Sequence, residues 1–202
     1  MRRTKEEALV TRENILSAAL QVFSQNGYSA TRLEDIARAA GVTRGAIYYH
    51  FGSKEELYIA LVTERSAGIN QLAEEIITKG GTPIETLRRF LVRMFEYAEE
   101  DEEYRALLEL TVSKVELTEG LETIMKDTIK GRRQLAAYFQ ELLRQGIQAG
   151  EIRSDLPVET ASYALISFMN GVGLIWIQDQ KALSIRKNAE ALADVILKGI
   201  EK

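Results

Sequence analysis

Arg44, Gly45, Tyr48 and Tyr49 lie close together in the string TRGAIYYHF. At 100° per residue they share an arc of about 140° on a helix, with Ala46 and Ile47 on the opposite side. Such an arc suits a DNA groove. An arginine can fork onto guanine, and a tyrosine offers its ring to a thymine methyl or its hydroxyl to a phosphate. A glycine between them lets the helix approach the duplex closely. A plain amphipathic hairpin would also display tyrosines, so neither Tyr48 nor Tyr49 decides the matter alone.

The elements around these residues decide it. Thr31 stands three residues before Glu34, the spacing of a capping box. Leu33, Ile36, Ala37 and Ala40 follow at helical spacing, and Gly41 supplies a left-handed stop. Thr43 caps a second helix from Arg44 to His50, and Phe51 closes the small core beneath it. Upstream, Ile15, Leu16, Ala19, Leu20 and Phe23 form one stripe of a helix from Arg12 to Gln25, ended by Asn26-Gly27. Three helices of this kind make a helix-turn-helix domain over residues 1–54. In it Thr31, Thr43, His50 and Lys54 would hold phosphates, with Arg32 beside them. The arm Arg2-Arg3 would reach a minor groove.

The string EDIARAAGVTRGAIYYHFGSKEEL resembles the TetR family of transcriptional regulators, in its AcrR-type branch, as does the opening RRTKEEALVTRENIL. The likeness covers about residues 2 to 60. Tyr49 departs from it, standing where that branch often carries Trp. The resemblance implies a homodimer reading a palindromic operator. It also implies repression relieved by a small effector, commonly at drug-efflux genes.

The rest of the chain, residues 55–202, reads as a helical bundle for effector binding and dimerisation, so the expected fold class is all-α. Ser53 with Glu56 opens a long helix to about Thr78, and Lys79-Gly80-Gly81 breaks it. Thr82-Pro83 starts the next helix. Further helices run from Tyr104 to Leu117, from Leu121 to Ala149 and from Pro157 to about Gln180; the last is capped by Ser184. The acidic run Glu99–Glu103 reads as a solvated turn or helix edge, since adjacent acids cannot all face one ion.

Phe90, Met94, Tyr97, Leu108, Phe139 and Met169 are bulky and flexible enough to line an apolar pocket, although such stripes are more often plain core. The resemblance implies pocket-lining positions for Leu108, Val112, Ile166, Met169 and Asn170, with Glu109 beside them. Glu109 and Asn170 would be the polar contacts. The last two helices carry a wide apolar face with Phe168, Gly171, Leu174, Ile175, Leu192 and Ile196. That face is either core or a dimer surface, and the resemblance implies a four-helix bundle between two copies.

Composition narrows the classes. The net charge of −4 divides into +3 on residues 1–54 and −7 on the remainder. A basic head on an acidic body orients the molecule on a duplex. The sequence holds no cysteine, which excludes disulfides and thiolate metal sites and agrees with a cytoplasmic location. The single histidine, His50, lies on the reading helix; no metal-spaced set and no phosphate loop appear. An enzyme is therefore not expected, and neither is a cofactor or a metal. The apolar run Ala164–Ile177 looks too short for a membrane span. A DNA-binding regulator without an effector, or an activator, is the alternative reading.

Overall fold

The computed structural model describes residues 5–110 and 122–202. The described elements are all helices: α1 (Lys5–Asn26), α2 (Leu33–Ala39), α3 (Arg44–Phe51), α4 (Lys54–Thr78), α5 (Pro83–Glu100), α6 (Glu102–Leu108), α7 (Glu122–Ala149), α8 (Val158–Gln178) and α9 (Ala189–Leu197). The chain divides into two compact units, one holding residues 1–67 and 106–125, the other 68–105 and 126–202. Val112 and the end of the helix expected from Tyr104 to Leu117 lie outside the described residues, as does the arm Arg2-Arg3.

In the first unit, α1 begins earlier than its apolar stripe. Residues 5–9 are good helix formers, and Glu6 and Glu7 sit in the first turn, where the helix dipole favours acids. The stripe starts later because Leu9 and Val10 face solvent. Ile15, Leu16, Phe23, Ile36, Ile47, Leu57 and Leu61 are fully buried and fuse α1 to α4 into one core. Phe23, Tyr28 and Tyr58 close one side of it, with ring centroids 5.8, 5.2 and 5.0 Å apart. Burial of the Tyr58 phenol pushes its pKa up to about 12. Arg12 grips Glu64 with both terminal nitrogens, at 2.7 and 2.6 Å, and its guanidinium lies 5.0 Å from the Phe51 ring.

In the second unit, α5 opens with a complete capping box. The Thr82 hydroxyl accepts from the Glu85 amide, the Glu85 carboxylate accepts from the Thr82 amide, and Pro83 follows the cap. Its apolar face packs on α9 and α8. Arg88 ties α5 to the chain's end through Asp194, Glu190 and Glu201. After α7, Gly150 turns the chain at φ +75°. The Arg153 amide then donates to Ile200 and the Lys202 amide to Glu151, at 3.1 and 3.0 Å.

Three expectations about this unit need correction. Ser184 does not cap α9. Its hydroxyl donates to Glu99 and accepts from the Lys187 amide, which closes a turn, and α9 starts only at Ala189. Glu99 is accordingly not a solvated acid, since its carboxylate also accepts from the Arg186 amide at 3.0 Å. The length argument against a membrane span also fails, because α8 runs for 21 residues and is long and apolar enough by composition. One such helix is weak evidence for insertion, since core and interface helices pass the same test.

Candidate nucleic-acid interface

The turn between α2 and α3 is built by backbone hydrogen bonds. Gly41 adopts φ +66°, and the Val42 amide reaches back to the Ala37 carbonyl at 2.9 Å. That wrap suits glycine because a Cβ resists the left-handed region. Thr43 then caps α3, accepting from the Ala46 amide at 3.2 Å. Ile47 and Phe51 anchor α3 from below, and Arg44, Gly45, Tyr48 and Tyr49 face solvent. Tyr49 is 83% exposed and Tyr48 42%.

Gly45 has no internal reason to be glycine. A Cβ there would meet only the Thr43 hydroxyl, at an ordinary 3.8 Å. Bareness at that point benefits whatever approaches from outside.

Arg44 is not a loose cation. One terminal nitrogen donates to Glu34 on α2 at 2.5 Å, and the other to the Tyr48 hydroxyl at 2.7 Å. Its guanidinium also lies 5.2 Å from the Tyr48 ring. The hydrogen bond to Tyr48, then the Glu34 charge, raise its pKa, so Arg44 stays charged under all ordinary conditions. Glu34 is the residue that sequence reasoning assigned elsewhere. The one available signal was opposite charge on both sides of a tight turn.

The flanking residues divide. Arg32 is exposed at the start of α2, and its carbonyl accepts from the Asp35 amide at 3.1 Å. Lys54 donates to the Ser29 carbonyl at 3.4 Å and lies 4.4 Å from the Tyr28 ring, which holds its ammonium beside the turn after α1. His50 is half-buried, edge-on to Tyr49 at 5.1 Å. Thr31 requires a correction. It is 2% exposed, its hydroxyl donates to the Gly27 carbonyl at 2.7 Å, and Arg32 occupies the cap position without a side-chain bond. The hydroxyl is used inside the fold, so it neither caps α2 nor faces a phosphate.

In the second unit Phe90 and Phe139 meet edge-on at 5.1 Å, and both are buried with Met94 and Ile166. Met169 is half-buried. Asn170 is exposed, on the same stripe of α8 as Tyr163 seven residues earlier, so it is no enclosed polar contact. Leu108 and Glu109, both half-buried, fall in the first unit. Phe168 meets Phe95 at 6.2 Å. Gly171, Leu174, Leu192 and Ile196 are half-buried, and Ile175 and Val195 are 70% and 72% exposed. Among the described residues no group of three or more His, Cys, Asp or Glu is arranged to hold a metal ion.

Residues 15–61 match the family model of bacterial regulatory proteins of the tetR family, and residues 82–201 match that of the C-terminal region of MAATS-type transcriptional repressors. The regulator AcrR of Shigella flexneri is 31% identical over 97% of this chain and 92% of its own length. The chain belongs to the TetR family. A probable acrEF/envCD operon repressor of Escherichia coli K12 is 30% identical over 98% of this chain and 90% of its own length. Among solved structures, NalD, the secondary repressor of the MexAB-OprM multidrug efflux pump in Pseudomonas aeruginosa, superposes with a TM-score of 0.83. It is 27% identical, over 98% of this chain and 99% of that one. The tetR family match thus ends at residue 61, within α4, and includes the whole α2–turn–α3 arrangement.

Proposed function

We infer that this TetR-family chain is a ligand-responsive transcriptional repressor. As a homodimer it would bind a palindromic operator, and a small hydrophobic or aromatic effector would release it. The observation that carries the reading is the outer face of α3, where a clasped arginine and two exposed tyrosines flank a glycine the fold does not need. Arg44, Gly45, Tyr48 and Tyr49 would enter the major groove of each half-site, with Arg32, Thr43, His50 and Lys54 on the backbone. Residues 1–54 form the reading head, and 55–202 the part that dimerises and takes the effector.

The exposed apolar stripe of α8 and α9, with Ile175 and Val195 at its centre, supports dimerisation. Phe168, Gly171, Leu174, Leu192 and Ile196 would complete that interface. For the effector, Phe90, Met94, Phe139, Ile166 and Met169 supply apolar surface. Such a repressor would act in the cytoplasm on the genes of an efflux pump, as NalD represses the MexAB-OprM pump. Mobility shift with the DNA upstream of the chain's own gene tests the reading. Arg44→Ala combined with Tyr48→Ala should abolish the shift; undiminished binding would overturn the assignment.

A further inference from the structure

Four buried side-chain nitrogens among the described residues lack a hydrogen-bond partner: Arg65 Nε, Arg105 Nε, Arg153 Nε and Trp176 Nε1. Arg65 and Arg153 each already hold a carboxylate, Glu13 and Asp155 respectively. Arg105 and Trp176 are different. Among the described residues Arg105 has no ion-pair partner, and its guanidinium lies 5.9 Å from the Trp176 ring centroid. Trp176 is 4% exposed. Each of these two residues therefore buries one unsatisfied N–H donor in the second unit, and the half-buried guanidinium lies over the indole. Nearby, Tyr97 and Tyr104 stack at 5.0 Å, and burial holds the Tyr104 phenol far above its ordinary range, so it supplies no counter-charge.

Buried donors normally find acceptors, and a half-buried guanidinium normally finds an anion. We propose that Arg105 and Trp176 form an anchor for the carboxylate of an otherwise apolar small molecule, with the guanidinium and the indole N–H donating to its oxygens. A carboxylate matches the planar fork of arginine and accepts from a third donor as well. A cation would leave both donors unsatisfied and add repulsion. Asp101, Glu102 and Glu103 lie within a turn of Arg105, yet none is its ion-pair partner, and a carboxylate held by the guanidinium at contact is little screened by salt. This inference rests on the effector reading above and narrows its ligand to an acid.

Trp176 is the chain's only tryptophan, so its emission reports on the site directly. The full-length protein is titrated below micelle-forming concentrations with decanoate, decanol and decyltrimethylammonium. Decanoate should give a saturable change in emission, with decanol about tenfold weaker or more. Arg105→Gln should weaken decanoate by about tenfold or more and leave decanol unchanged. Arg105→Lys, which keeps the charge and loses the fork, should fall between them and serves if the glutamine variant fails to fold by circular dichroism. Equal responses to decanoate and decanol, or an unaltered decanoate curve in both Arg105 variants, overturn the anchor. Operator mobility shift on the same samples separates the two readings. If decyltrimethylammonium releases DNA while decanoate leaves Trp176 unchanged, the effector reading stands and the anchor falls. If decanoate saturates the site without releasing DNA, the anchor stands and the effector reading suffers.

Discussion

A methyl group at position 45 would cost the free protein nothing, because its surroundings are open. Alanine is the better helix former by up to about 1 kcal/mol. Gly45→Ala should therefore raise the melting temperature slightly, while operator affinity falls about tenfold or more as the helix is held off the duplex. Thermal melting and mobility shift check the two signs; a variant that binds as tightly as the parent would remove Gly45 from the interface. The residues of α3 were legible in the sequence because their signals are local: a cap, a left-handed glycine and a periodic core, all within about twenty residues. Thr31 was misread for the same reason. Its spacing to Glu34 fits a capping box, but Gly27 offers the hydroxyl a nearer carbonyl inside the core. Glu34 was missed as a partner of Arg44 because pairing across a turn depends on the angle between two helices, which spacing does not encode.

Between elements, the Arg12–Glu64 pair ties α1 to α4, and it dates itself by pH. The hydrogen bond from Arg12 holds the Glu64 carboxyl below its ordinary value of 4.5, against a smaller opposing effect of burial. A lowered folded value means the stabilisation is complete above 4.5 and is lost as pH falls through the lowered value. Both side chains are about a third exposed, so the contribution is about 0 to 1 kcal/mol. Glu64→Gln should melt slightly below the parent at neutral pH, and the two curves should converge in acid. A gap that persists at low pH would show the loss to be one of packing. Element ends were the least legible level. The start of α9 was displaced because Ser184 answers to Glu99, a partner 85 residues away that no local pattern announces. The long helices α4, α5, α7 and α8 were readable because glycine or proline marks their ends.

For the whole molecule, the proposed dimer would cover the exposed stripe of α8 and α9 with a second copy. Val195→Glu or Ile175→Glu would bury an unpaired charge in that interface, at about 3 kcal/mol or more. Dimer dissociation should rise by about a hundredfold, read by light scattering, and operator affinity should fall with it. A variant that stays dimeric would move the interface elsewhere. One further property follows from the Glu34–Arg44 clasp. A regulator must find its operator among roughly 10⁶ to 10⁹ competing stretches of chromosome. An arginine that keeps its carboxylate would offer random phosphates one fewer free cation, and each futile stop in that search would be shorter. Glu34→Gln should bind unrelated DNA more tightly and steepen its salt dependence by about one unit. A reading head clasped in this way would leave random sequence sooner and spend more of its time travelling.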